Sequence, residues 1–167
     1  MDDLDRRILV KLQEDGSLTN ARLAEAIGLS QSAMSERVRR LQQEGHILGY
    51  RALLDPASVG LHLQAFVATG LVRHGRDSIE TFETGIVAIP GVRACYHVAG
   101  RFDYLVHVAV RDLEHLGRLV KYDIAAIPGV DKAETMLVYS EVKPDTGWPV
   151  PVELQDMKET TNQEARR

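Results

Sequence analysis

Between residues 30 and 51, Arg37, Arg39, Arg40 and Arg51 face only Glu36 and Glu44, a local excess of two positive charges in a chain of formal net charge −4. Arginine is suited to phosphate oxygens and guanine edges, and small polar residues at a helix start can enter a major groove. The residues suited to that chemistry are Ser30, Gln31, Ser32, Ser35, Glu36, Arg37, Arg39 and Arg40. The same run also fits a solvated helix face, as most charge runs do. Other chemistries find less support. Six histidines, at 46, 62, 74, 97, 107 and 115, show no i, i+4 metal-ligand spacing. His97 and His107 fall on strands expected to join in one hairpin, where they could be neighbours. There is no Ser-His-Asp or Cys-His grouping and no phosphate-cradling glycine loop. No catalytic or metal-binding residue is therefore assigned, no cofactor is expected, and a non-enzyme is the reading.

The elements that must position these arginines follow from periodicity and caps. Leu4, Ile8, Leu9 and Leu12 recur at helical spacing, with Gly16 where a C-terminal cap belongs. Thr19 starts a second helix with Leu23, Ala24 and Ile27 on one face, ended by Gly28. Ser30 caps a third, running to about Glu44, with Gly45 beyond it. Its Met34, Val38 and Leu41 point to a core, and Ser32, Ala33, Glu36, Arg39 and Arg40 point away. Three short helices with a tight turn between the last two make a helix-turn-helix.

The second half repeats itself. "AIPGV" occurs at Ala88–Val92 and again at Ala126–Val130, each copy preceded by a helix-like run and followed by a β-rich one. The expected order from about Leu63 to Val142 is βαββαβ, a four-stranded antiparallel sheet with both helices on one face. Each IPGV is a turn from helix to strand and carries no chemistry. The whole is α+β: a winged-type helix-turn-helix and a ferredoxin-like domain. The boundaries expected are 1–46, a hinge strand and linker over 47–61, the sheet domain over 62–143, and an extension over 144–167. The hinge strand proper is placed at Ile47–Leu54, and the polar tail after 150 is expected to be mobile, with no role assigned. Two faces of the sheet are apolar but helices can cover only one, so a second copy of the chain is the economical partner. A lone cysteine, Cys95, and an acidic start without a signal sequence point to a cytosolic protein, and no apolar run approaches a membrane span.

These residues resemble the Lrp/AsnC "feast/famine" regulators over about 2–150. The resemblance is dense in "LDRRILVKLQEDGSLTNARLAEAIGLSQSAMSERVRRLQQEGHILGYRALLDPASVG" and returns in "YHVAGRFDYLVHV" and "AIPGVDKAETMLVYSEVKPDTGWPV". It implies a sequence-specific DNA-binding homodimer, often an octamer, that senses a small effector, usually an amino acid. The resemblance places that effector near the hairpin "AGRFD". There the N–H groups of Ala99, Gly100 and Arg101 could hold a carboxylate. Asp103 could meet an ammonium, with Tyr104 and Thr135 alongside. An ordinary hairpin turn would use the same Gly and Asp. Gln31 stands where the family commonly has proline, and Glu36 where arginine is frequent, so the operator cannot be carried over by analogy. Two rivals remain at this point. Siroheme decarboxylases share the architecture, and an architectural protein could wrap DNA with little sequence preference, against which the net charge counsels.

Overall fold

The computed structural model describes residues 1–151, in two compact units: Met1–Ala52 together with the stretch from Lys143, and Leu53–Val142. The expected mobile tail falls on residues outside those described, apart from Pro151.

The first unit holds α1 (Asp3–Glu14), α2 (Asn20–Ile27) and α3 (Gln31–Gln43). Local chemistry sets their limits. Asp2 caps α1 by accepting from Asp5 N at 2.8 Å, while Asp5 Oδ2 accepts from Asp2 N at 3.0 Å, a reciprocal capping box. Thr19 and Ser30 cap α2 and α3 through Arg22 N and Ala33 N. Gly28 closes α2 at φ 83°, a backbone that favours glycine. The end of α1 departs from expectation. Asp15, in an extended conformation, is the cap, and Gly16 is not left-handed. Ile8, Leu23, Met34 and Leu41 are fully buried between the three helices. The stretch from Lys143 joins the same unit through Gln13, which donates to Trp148 O at 3.0 Å and accepts from Trp148 N at 2.6 Å.

The strand expected over Ile47–Leu54 does not form. The segment has no regular secondary structure, and Leu48 and Leu53 are 96% and 82% exposed. Its β-like composition finds no second strand among the described residues to bond.

In the second unit β1 (Leu63–Leu71), α4 (Arg76–Val87), β2 (Val92–His97), β3 (Tyr104–Val110), α5 (Leu113–Arg118) and β4 (Val130–Leu137) give βαββαβ. From Leu119 to Ile124 the chain after α5 winds as a wider π-helix. The strands lie in the order β2-β3-β1-β4, all antiparallel, as two interleaved βαβ units require. β4 stops at Leu137, short of the expected Val142. The two IPGV copies are the same turn. Val92 N donates to Ile89 O at 3.3 Å and Val130 N to Ile127 O at 3.2 Å, with Gly91 and Gly129 at φ 92° and 95°. Each glycine carbonyl then accepts a backbone hydrogen bond, Gly91 O from Ala109 N of β3 and Gly129 O from Val72 N just past β1.

Helices cover one face, where Val67, Phe82, Ile86, Tyr104, Val106, Val108 and Ile124 form the core. Each such side chain contributes about 1.5–3 kcal/mol on leaving water. The alternate residues, among them Phe66, Tyr96, Leu105, His107 and Met136, form the other face. Phe66 stacks on His107 at 4.6 Å, and His107 shares a 3.0 Å hydrogen bond with Gln64. Tyr96 and Met136 there remain 54% and 42% exposed.

Candidate nucleic-acid interface and effector hairpin

The exposed ridge of α3 carries Gln31, Ser32, Glu36 and Arg39. Among the described residues the Arg39 guanidinium hydrogen-bonds within its own helix, donating to Gln43 Oε1 at 3.3 Å. Ser30 spends its hydroxyl on the cap and lies 3.2 Å from Ser32 Oγ. Ser35 is half-buried and accepts from Asn20 Nδ2 of α2 at 3.2 Å, which ties the two helices at the turn. This gives a polar, capped helix face, and a major groove admits an α-helix.

Arg37 is half-buried and Arg40 exposed, as its spacing implies, but both also reach carboxylates of the chain's acidic start. Arg37 Nη1 bonds Asp2 and Asp5 carboxylates, both at 2.7 Å, and Arg40 Nη2 reaches the two Asp5 oxygens at 3.0 and 2.8 Å. Asp5 is 1% exposed, the one fully buried charged side chain among the described residues. The Asp2 and Asp5 contacts hold Arg37 protonated beyond its ordinary range, and Asp2 is drawn down to about 2, first by the Asp5 N–H and then by Arg37. Sequence reasoning missed Asp5, although a signal existed: it shares a helix face with Ile8 and Leu12, where a carboxylate demands a cation.

In the second unit, the β2–β3 hairpin is closed by Val98 N donating to Asp103 O at 2.8 Å. Ala99, Gly100 and Arg101 are exposed at its tip. Asp103 is already engaged. Its Oδ2 accepts from Leu71 N at 2.7 Å, and Oδ1 lies 2.9 Å from His74 Nε2. The Leu71 N–H, more than the neighbouring histidines, holds its carboxyl below the usual range. Arg101 reaches across to β4 and bonds both oxygens of Glu134 at 2.9 and 3.0 Å, with its guanidinium 4.7 Å from the Phe102 ring.

The remaining expected residues do not join this group. Tyr104 is buried on the helix side between Phe82 and His97, and its hydroxyl donates to Glu83 at 3.1 Å. Burial, with Glu83 beside it, pushes that phenol up to about 12. Thr135 pairs with Val67 on β4, with β1 between it and β3. His97 and His107 are not neighbours. They sit on opposite faces, since His97 pairs with Tyr104, three residues from His107. Thr69, in register with Tyr104, is buried, and its hydroxyl has no hydrogen-bond partner among the described residues. A shallow groove elsewhere in this unit, lined by Asp77, Thr84, Gly85, Ile127 and others, contains none of the expected effector residues. Sequence reasoning missed His74, Glu83 and Glu134, because each depends on sheet order.

Residues 1–42 match the family model of the AsnC-type helix-turn-helix domain, and residues 64–148 match that of the Lrp/AsnC ligand binding domain. The leucine-responsive regulatory protein of Escherichia coli (strain K12) is 38% identical over 143 residues, 86% of this chain and 87% of its own. The chain belongs to the Lrp/AsnC family. Another relative, the HTH-type transcriptional regulator AldR of Mycolicibacterium smegmatis, is 39% identical over 86% of this chain and 84% of its own. Among solved Lrp/AsnC structures, a transcriptional regulator from Neisseria meningitidis in complex with L-Met superposes with a TM-score of 0.85 at 35% identity, covering 89% of this chain and 96% of that one. An AsnC family regulator from Agrobacterium tumefaciens gives a TM-score of 0.84 at 32% identity, covering 89% and 97%. The protein is thus an Lrp-like transcriptional regulator with a helix-turn-helix and a ligand-binding domain. The first match takes in α1, α2 and nearly all of α3, and the second takes in the sheet and its hairpin. No described helix is long and apolar enough to cross a membrane.

Proposed function

We propose that this Lrp/AsnC regulator reads operator DNA with α3 and adjusts that binding to an amino-acid effector held at the β2–β3 hairpin. The exposed ridge of α3 is the observation that carries the reading. Gln31, Ser32, Ser35 and Glu36 offer donors and acceptors to base edges, the Ser30 cap ends the helix at the groove, and Arg39 reaches a phosphate. Glu36 is suited to a cytosine amino group.

For the effector, the exposed tip from Ala99 to Arg101 presents N–H groups to a carboxylate, and Arg101 adds a cation at its edge. Asp103 shapes the hairpin through Leu71 and His74, and in this reading its carboxylate is the partner of the effector's ammonium. Tyr104 and Thr135 support it from the sheet rather than by contact. The L-Met bound by the Neisseria relative favours an amino acid.

Two copies are needed to read a palindrome, with recognition helices about 34 Å apart. The apolar face bearing Phe66, Tyr96, Leu105 and Met136 is the surface such a homodimer would bury, and dimers can assemble further to an octamer. The test is selection of bound duplexes from a random pool at near-physiological salt, followed by the twenty amino acids as competitors or enhancers. A twofold motif whose affinity one amino acid changes by about 5–150-fold supports the reading. Binding without a motif would favour an architectural role.

A further inference from the structure

The acidic start of the chain and two arginines of α3 form one ion-pair network, with Asp5 buried at its centre and the Arg40 side chain 45% exposed at its edge. Asp2 and Asp5 supply two negative charges, Arg37 and Arg40 two positive, and every contact among them is 3.0 Å or shorter. The local positive excess of residues 30–51 is thereby cancelled within the first unit. Glu44 stands 4.0 Å from Arg40 as well. The arrangement is directional. Arg37 and Arg40 lie on the α1 side of α3, whereas Arg39 lies on the open ridge. Asp5 cannot readily release its partners, because a buried carboxylate left without cations is strongly disfavoured.

We propose that Asp5 is a specificity-determining positioning residue: by holding Arg37 and Arg40 against α1, it fixes the angle of α3 and withholds two cations from DNA phosphates. The inference rests on the DNA-binding reading above. Affinity for any duplex rises with each phosphate neutralised, irrespective of sequence. A recognition helix stripped of two such contacts relies more on base edges, and so discriminates more. Asp5 touches no DNA in this account. It acts through Arg37 and Arg40.

Salt titrations of binding to a selected and a random duplex test this, for wild type, Asp5→Asn, Arg37→Gln and Arg39→Gln, each first shown to be folded by circular dichroism. Each phosphate contact contributes about 0.9 to the slope of log K against log salt. Arg39→Gln should make the slope shallower by about 0.9, while Arg37→Gln, which leaves Asp5 paired with Arg40, should leave it unchanged. Asp5→Asn should steepen it by up to about 1.8 and narrow the selected-to-random ratio roughly tenfold. A merely structural Asp5 would weaken binding without steepening the slope. The inference is overturned if Arg37→Gln flattens the slope as Arg39→Gln does, or if folded Asp5→Asn keeps the wild-type slope and ratio. Should Asp5→Asn not fold, the comparison of Arg37→Gln with Arg39→Gln decides. Wild-type protein that binds neither duplex defeats the DNA reading itself, and the inference with it.

Discussion

Two aspartates show how position in the fold assigns a role that residue type leaves open. Asp103 has the chemistry to meet an ammonium, yet its two oxygens are occupied by Leu71 N and His74. Asp103→Asn should therefore cost the second unit about 1.5–3 kcal/mol, the range for hydrogen bonds to a charged group, read from the urea midpoint. The same variant should lose the effector response while the first unit still binds DNA. An undiminished response would remove Asp103 from the hairpin's function. Asp2 gives a pH signature. Its pKa falls to about 2, so its contribution is present above about 4 and is lost as pH falls toward 2. Asp2→Asn, still able to cap α1, should make helix loss between pH 4 and 2 less pH-dependent, as followed by circular dichroism. An unchanged acid profile would show that Asp2 is not linked to folding.

Elements were legible in the sequence wherever their limits are local. Thr19, Gly28 and Ser30 mark helix ends by caps that need no knowledge of the rest of the chain, and each stands where expected. The IPGV repeat marked the two helix-to-strand turns for the same reason. The Ile47–Leu54 strand was misread because extended composition does not say whether a partner strand exists. The ion pairs of Arg37 and Arg40 were not legible, because helical spacing shows which way a side chain leaves α3, and not that α1 offers it a buried carboxylate. The hairpin was placed correctly by its sequence, but Tyr104 and Thr135 needed the strand order to show them in the core and two strands away. At this scale the two IPGV glycines should differ. Gly129→Ala meets open space and should cost about 1–2 kcal/mol for its left-handed backbone alone. Gly91→Ala should cost more, since the added carbon would lie 3.3 Å from both Ala109 O and Leu119 Cδ1. Equal urea midpoints for the two variants would refute that difference.

For the whole molecule, the family fixes a DNA-binding unit and a ligand-binding unit in one chain, and the proposal is that assembly connects them. The open sheet face is the surface on which this depends. Tyr96→Glu, on a half-exposed position of that face, should shift the protein toward monomer in light scattering and weaken binding to a palindrome more than to a half-site. Unchanged assembly would move the interface elsewhere. The claim that matters most is sequence-specific, effector-responsive DNA binding, and one measurement addresses it directly: selection from a random duplex pool at near-physiological salt, with the recovered duplex then titrated with and without amino acids. The account predicts a twofold-symmetric motif whose affinity one amino acid alters by about 5–150-fold. Recovery of no motif from folded, DNA-retaining protein would contradict it.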